Sequence, residues 1–416
     1  MPLLTSAAQQ DPRPCGSRCR PARRPARAWS KGSSTLYKRF SLARTCYAYG
    51  GYTLLLWIVV SLVPRKARDK DGVASVLPPV TLIISAYNEE TVIRRKLENT
   101  LSLDYPMKLL EIVVVSDGSS DRTDELVRNF KEDGVQLRHF SGRIGKSACL
   151  NLAVPDAQGS IIVFSDANSI YAEGALRALV RPFEQGDIGF VTGWTQYGSV
   201  TAAPDTGALG LYSKMEFVTK QLESRFGTCI GADGAIFAIR KELYSPLQAH
   251  DINDLVTPLS INQQGLRGVL EEEAVCFESN AGSSKGEFER QVRITSRTIR
   301  ALISYRKLLN PLRFGFLSVQ IASHKLCRLL VPLFLVGLLG SNVLLAGSST
   351  FFKVTLAIQA IIVITAAIAG LQSSSSWLTK ITGTARTFLI VNAAIALAWI
   401  RFLQGKTYTT WVPTKR

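Results

Sequence analysis

The chain has 416 residues, 46% of them hydrophobic, and a formal net charge of +17 at pH 7. That length exceeds one ordinary domain, and the apolar residues are concentrated enough to ask what covers them. The charge does not argue for nucleic acid: residues 1–44 alone hold ten Lys or Arg against one Asp, and no folded basic module accompanies them.

That amino-terminal stretch, "DPRPCGSRCRPARRPARAWSKGSS", is rich in Pro, Arg and Ser without apolar periodicity, so it reads as a disordered basic tail. Beside anionic headgroups each basic residue contributes about 1 kcal/mol. Residues 45–64 follow, 20 positions without a charge, which matches the length needed to cross a bilayer. The basic region ahead of them is long and no small-x-small site follows "IVVSLVP", so a signal anchor fits and a cleavable leader does not. The seven cysteines, Cys15, Cys19, Cys46, Cys149, Cys229, Cys276 and Cys327, are scattered and odd in number. They argue for reduced thiols. Cys15 and Cys19 would make half a zinc site, but His139, His250 and His324 stand far away in sequence.

From residue 65 the pattern changes to short apolar runs alternating with amphipathic ones. "PVTLIISAYNEE" is a strand buried on both faces that ends in polar residues. "TVIRRKLENTLSL" sets Val92, Ile93, Leu97 and Leu101 near helical spacing. "LEIVVVSDGSS" repeats the strand and "DRTDELVRNFKE" the helix, with Asp121 or Thr123 as its cap. Further units run from "VQLRHF" through "GKSACLNLAV" and from "SIIVFSDANS" through "AEGALRALVRPF". Repeated strand, helix, strand order with short links predicts a parallel sheet with ligands outside the strand carboxyl ends. The clusters "SAYNEE", "SDGSSD" and "SDANS" must then share one sheet edge. Neither G-x-G-x-x-G after the first strand nor G-x-x-x-x-G-K-[ST] occurs, so neither a dinucleotide fold nor a P-loop is supported.

Farther along, "GWTQYG" offers Trp194 and Tyr197, which either line a cleft or pack in the core. "LYSKMEFVTKQLESRFG" carries an apolar stripe at Leu211, Met215, Val218 and Leu222, a core-packing pattern. A cationic helix lying along a membrane surface accounts for Arg290, Arg293, Arg297, Arg300, Arg306 and Lys307. Charge-free runs of 24 and 26 residues occupy 329–352 and 354–379. A shorter one, 387–400, either spans with snorkelling Arg386 and Arg401 or lies at the interface.

Five of these segments, in this order and with apolar spans on both sides, resemble the inverting family 2 glycosyltransferases, in particular the membrane-embedded bacterial ones. "VTLIISAYNEE" resembles the family's nucleotide-entry strand, "VVVSDGSSDRT" its uridine and ribose motif, and "FSDANS" its D-x-D-type metal motif. "GADGAIFAIRKELY" resembles the acceptor-side segment and "HDINDLVTP" the acidic motif that carries the base. The resemblance implies an α/β GT-A nucleotide-sugar-binding domain with a mostly parallel, Rossmann-like sheet over residues 65–290. Amphipathic interface helices would follow at 291–325, two or three transmembrane helices at 326–404 and a tail at 405–416.

By the same resemblance Asp117 contacts base and ribose, and Ala86, Tyr87 and Glu89 line the uracil pocket; Glu89 and Glu90 also suit a helix N-terminus as acids. Lys146 stands near the nucleotide as a point charge suited to phosphate, with Arg143 beside it as a second cation or a solvated loop charge. Asp166 and Asn168 would hold Mg2+ or Mn2+, or else simply turn the chain; an amide stands where the family has its second carboxylate. A divalent cation stabilises the leaving diphosphate. Asp254 takes the place of the base, with Asp251 as runner-up and Asn253 where Glu is common; Asp as a helix cap is the competing reading. "RQVRI" replaces the Q-x-x-R-W of processive synthases, so Arg290 stands for Gln, Ile294 for Trp, and Arg293 is kept. Arg290 and Arg293 would hold the diphosphate.

The resulting expectation is an inverting transfer from a nucleotide diphosphate sugar, uridine-linked, to a lipid-linked or polysaccharide acceptor. Its setting would be the inner membrane, multi-pass, with membrane lipid around it and the sugar-binding domain facing the cytoplasm. One span ahead of that domain would place ten basic residues outside, against the positive-inside rule. The alternative is a non-catalytic membrane protein that keeps the sheet as a scaffold or sensor.

Overall fold

In the computed structural model, residues 43–62, 76–198, 208–278, 284–368 and 377–410 are described. The basic tail through residue 42, with Cys15 and Cys19, and positions 411–416 lie outside these. The described chain runs α1 (Tyr52–Leu62), β1 (Val80–Ala86), α2 (Ile93–Leu101), β2 (Leu110–Asp117), α3 (Thr123–Arg128), β3 (Val135–Phe140), α4 (Lys146–Ala153), β4 (Ile161–Asp166) and β5 (Ile170–Tyr171). It continues with α5 (Ala175–Val180), β6 (Ile188–Tyr197), α6 (Ala208–Phe226), β7 (Ile236–Arg240), α7 (Asn253–Gln263), β8 (Arg267–Glu278) and α8 (Ser284–Ser304), and ends in α9 (Cys327–Leu345), α10 (Thr350–Ile368) and α11 (Trp377–Leu403).

The eight strands form one sheet in the order β3-β2-β1-β4-β7-β6-β8-β5. β1 runs parallel to both β2 and β4, and β2 parallel to β3; β7 is antiparallel to its neighbours β4 and β6. The uninterrupted apolar strands are explained by helices on both faces. Alternate β1 residues point opposite ways: Leu82 and Ile84 join Ile93 and Leu97 of α2, while Ile83 joins Leu150 of α4 and Leu255 and Leu259 of α7. Each is essentially excluded from solvent, which stabilises the fold by about 1.5–3 kcal/mol per side chain. The second of these layers also takes in Val292 and Ile299 of α8 and Ala394, Ile395 and Ala398 of α11. The sheet domain and the last apolar helix therefore share one core.

The register brings the predicted polar clusters to one edge: Ser85 pairs with Asp166, and Ala86 with Ser116. Asp121 supplies the turn chemistry there, its Oδ1 accepting from the Thr123 amide at 3.0 Å and its Oδ2 from the Glu90 amide at 3.1 Å.

Among the described residues, four helices are long and apolar enough to cross a membrane: Ala43–Leu62, Phe316–Leu345, Thr350–Ile368 and Thr382–Leu403. The last extends the short run at 387–400 to a spanning length of 22 residues with Arg386 inside it. The charge-free run at 329–352 is broken instead, because Gly347, Ser348 and Ser349 turn the chain between α9 and α10. The second apolar helix begins at Phe316, earlier than its charge-free core, so His324, Lys325 and Arg328 ride on it. Five cysteines are free among the described residues.

Candidate functional site

The turn after β3 wraps onto the end of β2. Asp117 is fully buried, and its Oδ1 accepts from the amides of Ile144 at 2.7 Å and Gly145 at 2.9 Å. The Cys149 thiol also points at this oxygen, at 3.6 Å; burial and the Asp117 charge push it up to about 12, so it stays a thiol. Two backbone donors and a thiol thus fix the carboxylate, while Oδ2 is left without a hydrogen-bond partner. A buried carboxylate oxygen without a donor is costly, and a ligand hydroxyl or ring N–H would satisfy it. Beside it the Arg143 guanidinium lies 3.7 Å from the Tyr87 ring centroid, a flat cation-π pair of the kind that stacks a base. Glu89 is buried at the same edge, its amide donating to the Thr123 hydroxyl at 2.8 Å.

Gly145 has a positive φ of 90° and ends the loop, and a Cβ there would lie 2.6 Å from the Thr409 carbonyl. The chain after the last span therefore folds back over the start of α4. It is held there by Arg297, which donates to the Tyr408 carbonyl at 2.8 Å, and by Arg300, which donates to that of Lys406 at 2.9 Å. Nothing in the spacing of "GKTYTTW" announces this contact.

Lys146, the first residue of α4, places its ammonium 2.6 Å from Asp166 Oδ1 at the end of β4. The ammonium is a built-in cation where a metal would sit. Asp166 is part-exposed and the Asn168 side chain has no hydrogen-bond partner among the described residues, so a carboxylate and an amide oxygen remain open to a hard cation. No group of three His, Cys, Asp or Glu suited to a metal occurs among the described residues. Two oxygen donors, one shared with Lys146, would make only a partial shell for Mg2+ or Mn2+, which substrate phosphates would have to complete. Glu278, at the end of β8, was not apparent from the sequence. It accepts from the Ser169 hydroxyl at 2.8 Å, and burial followed by the Asp166 charge pushes it up to about 7. Its signal was again a carboxylate at a strand end, in a strand that periodicity did not delimit.

Asp254 lies in the first turn of α7, half-buried. Its Oδ1 has no hydrogen-bond partner and its Oδ2 abuts Gly234, where a Cβ would come within 2.9 Å. Burial raises its proton affinity, opposed by the charges of Lys146, Lys220 and Lys325. Asp251 is otherwise engaged: its Oδ2 caps the turn at the Gln248 amide (2.8 Å) and its carbonyl accepts from the Ser147 hydroxyl (2.7 Å). Asp251 Oδ1 lies 3.9 Å from His250 Nε2, so what sets Asp254 apart is that its partnerless Oδ1 is buried.

Arg290 pairs with Glu287 at 3.2 Å. Arg293 is pushed below its ordinary value by burial, then by Arg290 and Arg143. Arg293, with cations on both sides of it, marks this wall as one that an anion would relieve. Lys146 links these groups: its ammonium bonds Asp166, its charge acts on Asp254, and the amide just before it, of Gly145, bonds Asp117.

Residues 81–247 match the model of the family described as Glycosyl transferase family 2. A beta-monoglucosyldiacylglycerol synthase of Nostoc sp. is 34% identical over 149 residues, 34% of this chain and 31% of that protein. A poly-beta-1,6-N-acetyl-D-glucosamine synthase of Staphylococcus aureus is 33% identical over 158 residues, 35% of this chain and 37% of that protein. The chain thus aligns with about a third of the length of these curated relatives. The structure of a mannosyltransferase from Pyrobaculum calidifontis, in complex with GDP-mannose and Mn2+, superposes with a TM-score of 0.68. It covers 89% of this chain and 99% of that one at 22% identity, a likeness of fold.

Proposed function

The sheet domain belongs to glycosyltransferase family 2, and from that premise we propose a membrane-bound inverting transferase moving a sugar from a nucleotide diphosphate sugar, uridine-linked, to a hydroxyl of a lipid-linked or polysaccharide acceptor. The observation that carries this reading is Asp254: a half-buried carboxylate whose buried Oδ1 has no hydrogen-bond partner, within electrostatic reach of the Lys146–Asp166 pair.

Asp254 Oδ1 accepts the proton of the acceptor hydroxyl as its oxygen attacks the anomeric carbon. The bond from that carbon to the diphosphate oxygen breaks, and the electron pair leaves on the nucleoside diphosphate. Burial raises the proton affinity of Asp254, which matches it to this role. Lys146, Arg143 and Arg293 neutralise the departing charge, while Asp117 and Tyr87 orient the nucleoside. Asp166 and Asn168 would hold Mg2+ or Mn2+, which would supply further charge stabilisation to the diphosphate. Nucleotide sugars are cytosolic, so the domain faces the cytoplasm in this reading, with the four apolar helices in the inner membrane.

The test is a panel of nucleotide sugars incubated with detergent-purified protein and membrane-extract acceptors, beside Asp254→Asn. One donor turns over, and Asp254→Asn lowers kcat by roughly 10²–10⁴-fold, the range for loss of a general base, while donor binding persists. Nucleotide binding without turnover of any donor would instead favour the scaffold reading.

A further inference from the structure

A second cavity, of about 130 Å³, opens between β6 and α6 and is lined by Trp194, Tyr197, Glu216, Phe217, Lys220 and Asp233, among others. We propose that it is the acceptor subsite and that it takes a neutral polyhydroxyl group, a glycosyl or glycerol unit, rather than a phosphate. The proposal rests on the transferase reading above.

The cavity shares a wall with the base. Asp233 lines it, and the next residue, Gly234, abuts Asp254 Oδ2. A hydroxyl held at the Asp233 end of the cavity therefore lies close to the base. The helix that lines one side of it, α6, is bonded to the apolar helices. Thr219 and Glu223 of α6 bond Thr53 (2.8 Å) and Tyr52 (2.9 Å) of the first span, and Glu216 bonds His324 (3.0 Å) and Arg328 (2.7 Å) of the second.

Its lining has the chemistry that holds a sugar. The Trp194 and Phe217 ring centroids are 4.4 Å apart at 41°, an apolar face of the kind sugar rings pack on. Trp194 reaches it because the β6–β8 register shifts between Thr192 and Trp194. The shift needs glycine at 193, where a Cβ would lie 2.2 Å from the Ala274 carbonyl. Thus β6 supplies the aromatic face that Ile294 lacks.

Polar atoms complete the pocket. Lys220 is only 9% exposed and its ammonium has no hydrogen-bond or ion-pair partner among the described residues. The charges of Glu216 and Asp233 stabilise it, so what it has to offer a ligand is donor capacity rather than uncompensated charge. The cations near Glu216 are already taken: Arg328 and His324 bond it and Lys325 is 3.8 Å away. The Asp233 carboxylate accepts only backbone amides, from Thr195 at 3.0 Å and Ala235 at 3.1 Å, so Lys220 balances its charge and no cation is left over for a phosphate. A polyol would accept from Lys220 and donate to Asp233 and Glu216 at no net charge.

The experiment uses full-length protein in nanodiscs, with the donor that the panel selects. Four acceptors are compared: monohexosyl diacylglycerol, diacylglycerol, a soluble hexose oligomer and a polyprenyl phosphate. Glycosylation of neutral acceptors only is expected, the lipid and soluble arms telling a membrane headgroup from a polysaccharide. Lys220→Met raises the KM for the neutral acceptor about tenfold, the scale of one buried hydrogen bond to a charge, against less than about twofold for the donor KM. Trp194→Leu raises acceptor KM about threefold to tenfold by loss of ring contact, and Trp194→Phe and Lys220→Arg recover part of each effect, which separates contact from misfolding. Preference for polyprenyl phosphate, or variants that leave acceptor KM unchanged while wild type turns over donor, would overturn the subsite alone. Failure of wild type to turn over any donor would overturn both readings.

Discussion

The two halves of the cleft are assembled differently. On the donor side, β1, β2 and β4 each end in a polar cluster, and the parallel register alone brings Ser85, Asp117 and Asp166 to one edge. On the acceptor side, Trp194 comes from β6, Lys220 from α6, Asp233 from the turn before β7, Asp254 from α7 and the partners of Glu216 from an apolar helix. Local chain order builds the first half. Long-range packing against the spans builds the second, so donor chemistry and acceptor choice are separable.

The sharpest way to test this division is at Asp166. Asp166→Ala leaves Lys146 without its 2.6 Å partner and removes the carboxylate open to a divalent cation. Loss of several kcal/mol of charge stabilisation lowers kcat by roughly 100-fold or more and makes the variant insensitive to a chelator. Binding of Mn2+ to the nucleotide complex, followed by electron paramagnetic resonance, weakens in parallel. Acceptor KM moves little if the halves are separable; a comparable rise in acceptor KM would show that they are one site.

Gly145 is where the comparison breaks down, because there the chain beyond the last span touches the donor side. Alanine at this position meets both a positive φ of 90° and the Thr409 carbonyl. The strain of about 1–3 kcal/mol either lowers the melting temperature or displaces the 406–410 segment. Removing residues 406–416 from the Gly145→Ala variant relieves the contact but not the backbone strain. Recovery of stability on truncation assigns the cost to the contact, and no recovery assigns it to φ.

The donor half was legible because its signals are local: the apolar runs, the strand-end carboxylates and their order along residues 80–166 all survive in a linear reading. Asp254 was reached only through resemblance, and the structure adds why it differs from Asp251, whose oxygen is spent on the Gln248 amide. The acceptor wall was not legible. The α6 segment shows an apolar stripe, and nothing in its spacing reveals that Lys220 sits buried without a partner or that Glu216 meets His324 more than a hundred positions later. Trp194 stayed ambiguous between cleft and core because its orientation depends on a bulge opposite Ala274. The fourth span was ambiguous because charge-free length undercounts a helix that tolerates Arg386.

The smallest effect, and the most local to the donor side, concerns Lys96 under the Asp166 loop. This side chain of α2 is wholly buried, donates to the Ser169 carbonyl at 2.6 Å and lies 3.9 Å from the Tyr171 ring centroid. Burial lowers it to about 7, opposed by the neighbouring Cys276, Asp166 and Glu278. The unfolded chain then binds more protons at this amine between pH 7 and its ordinary 10.5, so its contribution to stability grows as pH rises through that window and is lost as pH falls toward 7. Between pH 7 and 8 the gain is at most about 1.4 kcal/mol. Lys96→Met loses the bond to Ser169 at every pH, a constant offset, and also loses this slope. The gap between wild type and variant in detergent should therefore widen from pH 7 to 8; a gap that stays constant would mean that the amine stays charged in the folded protein across the whole interval.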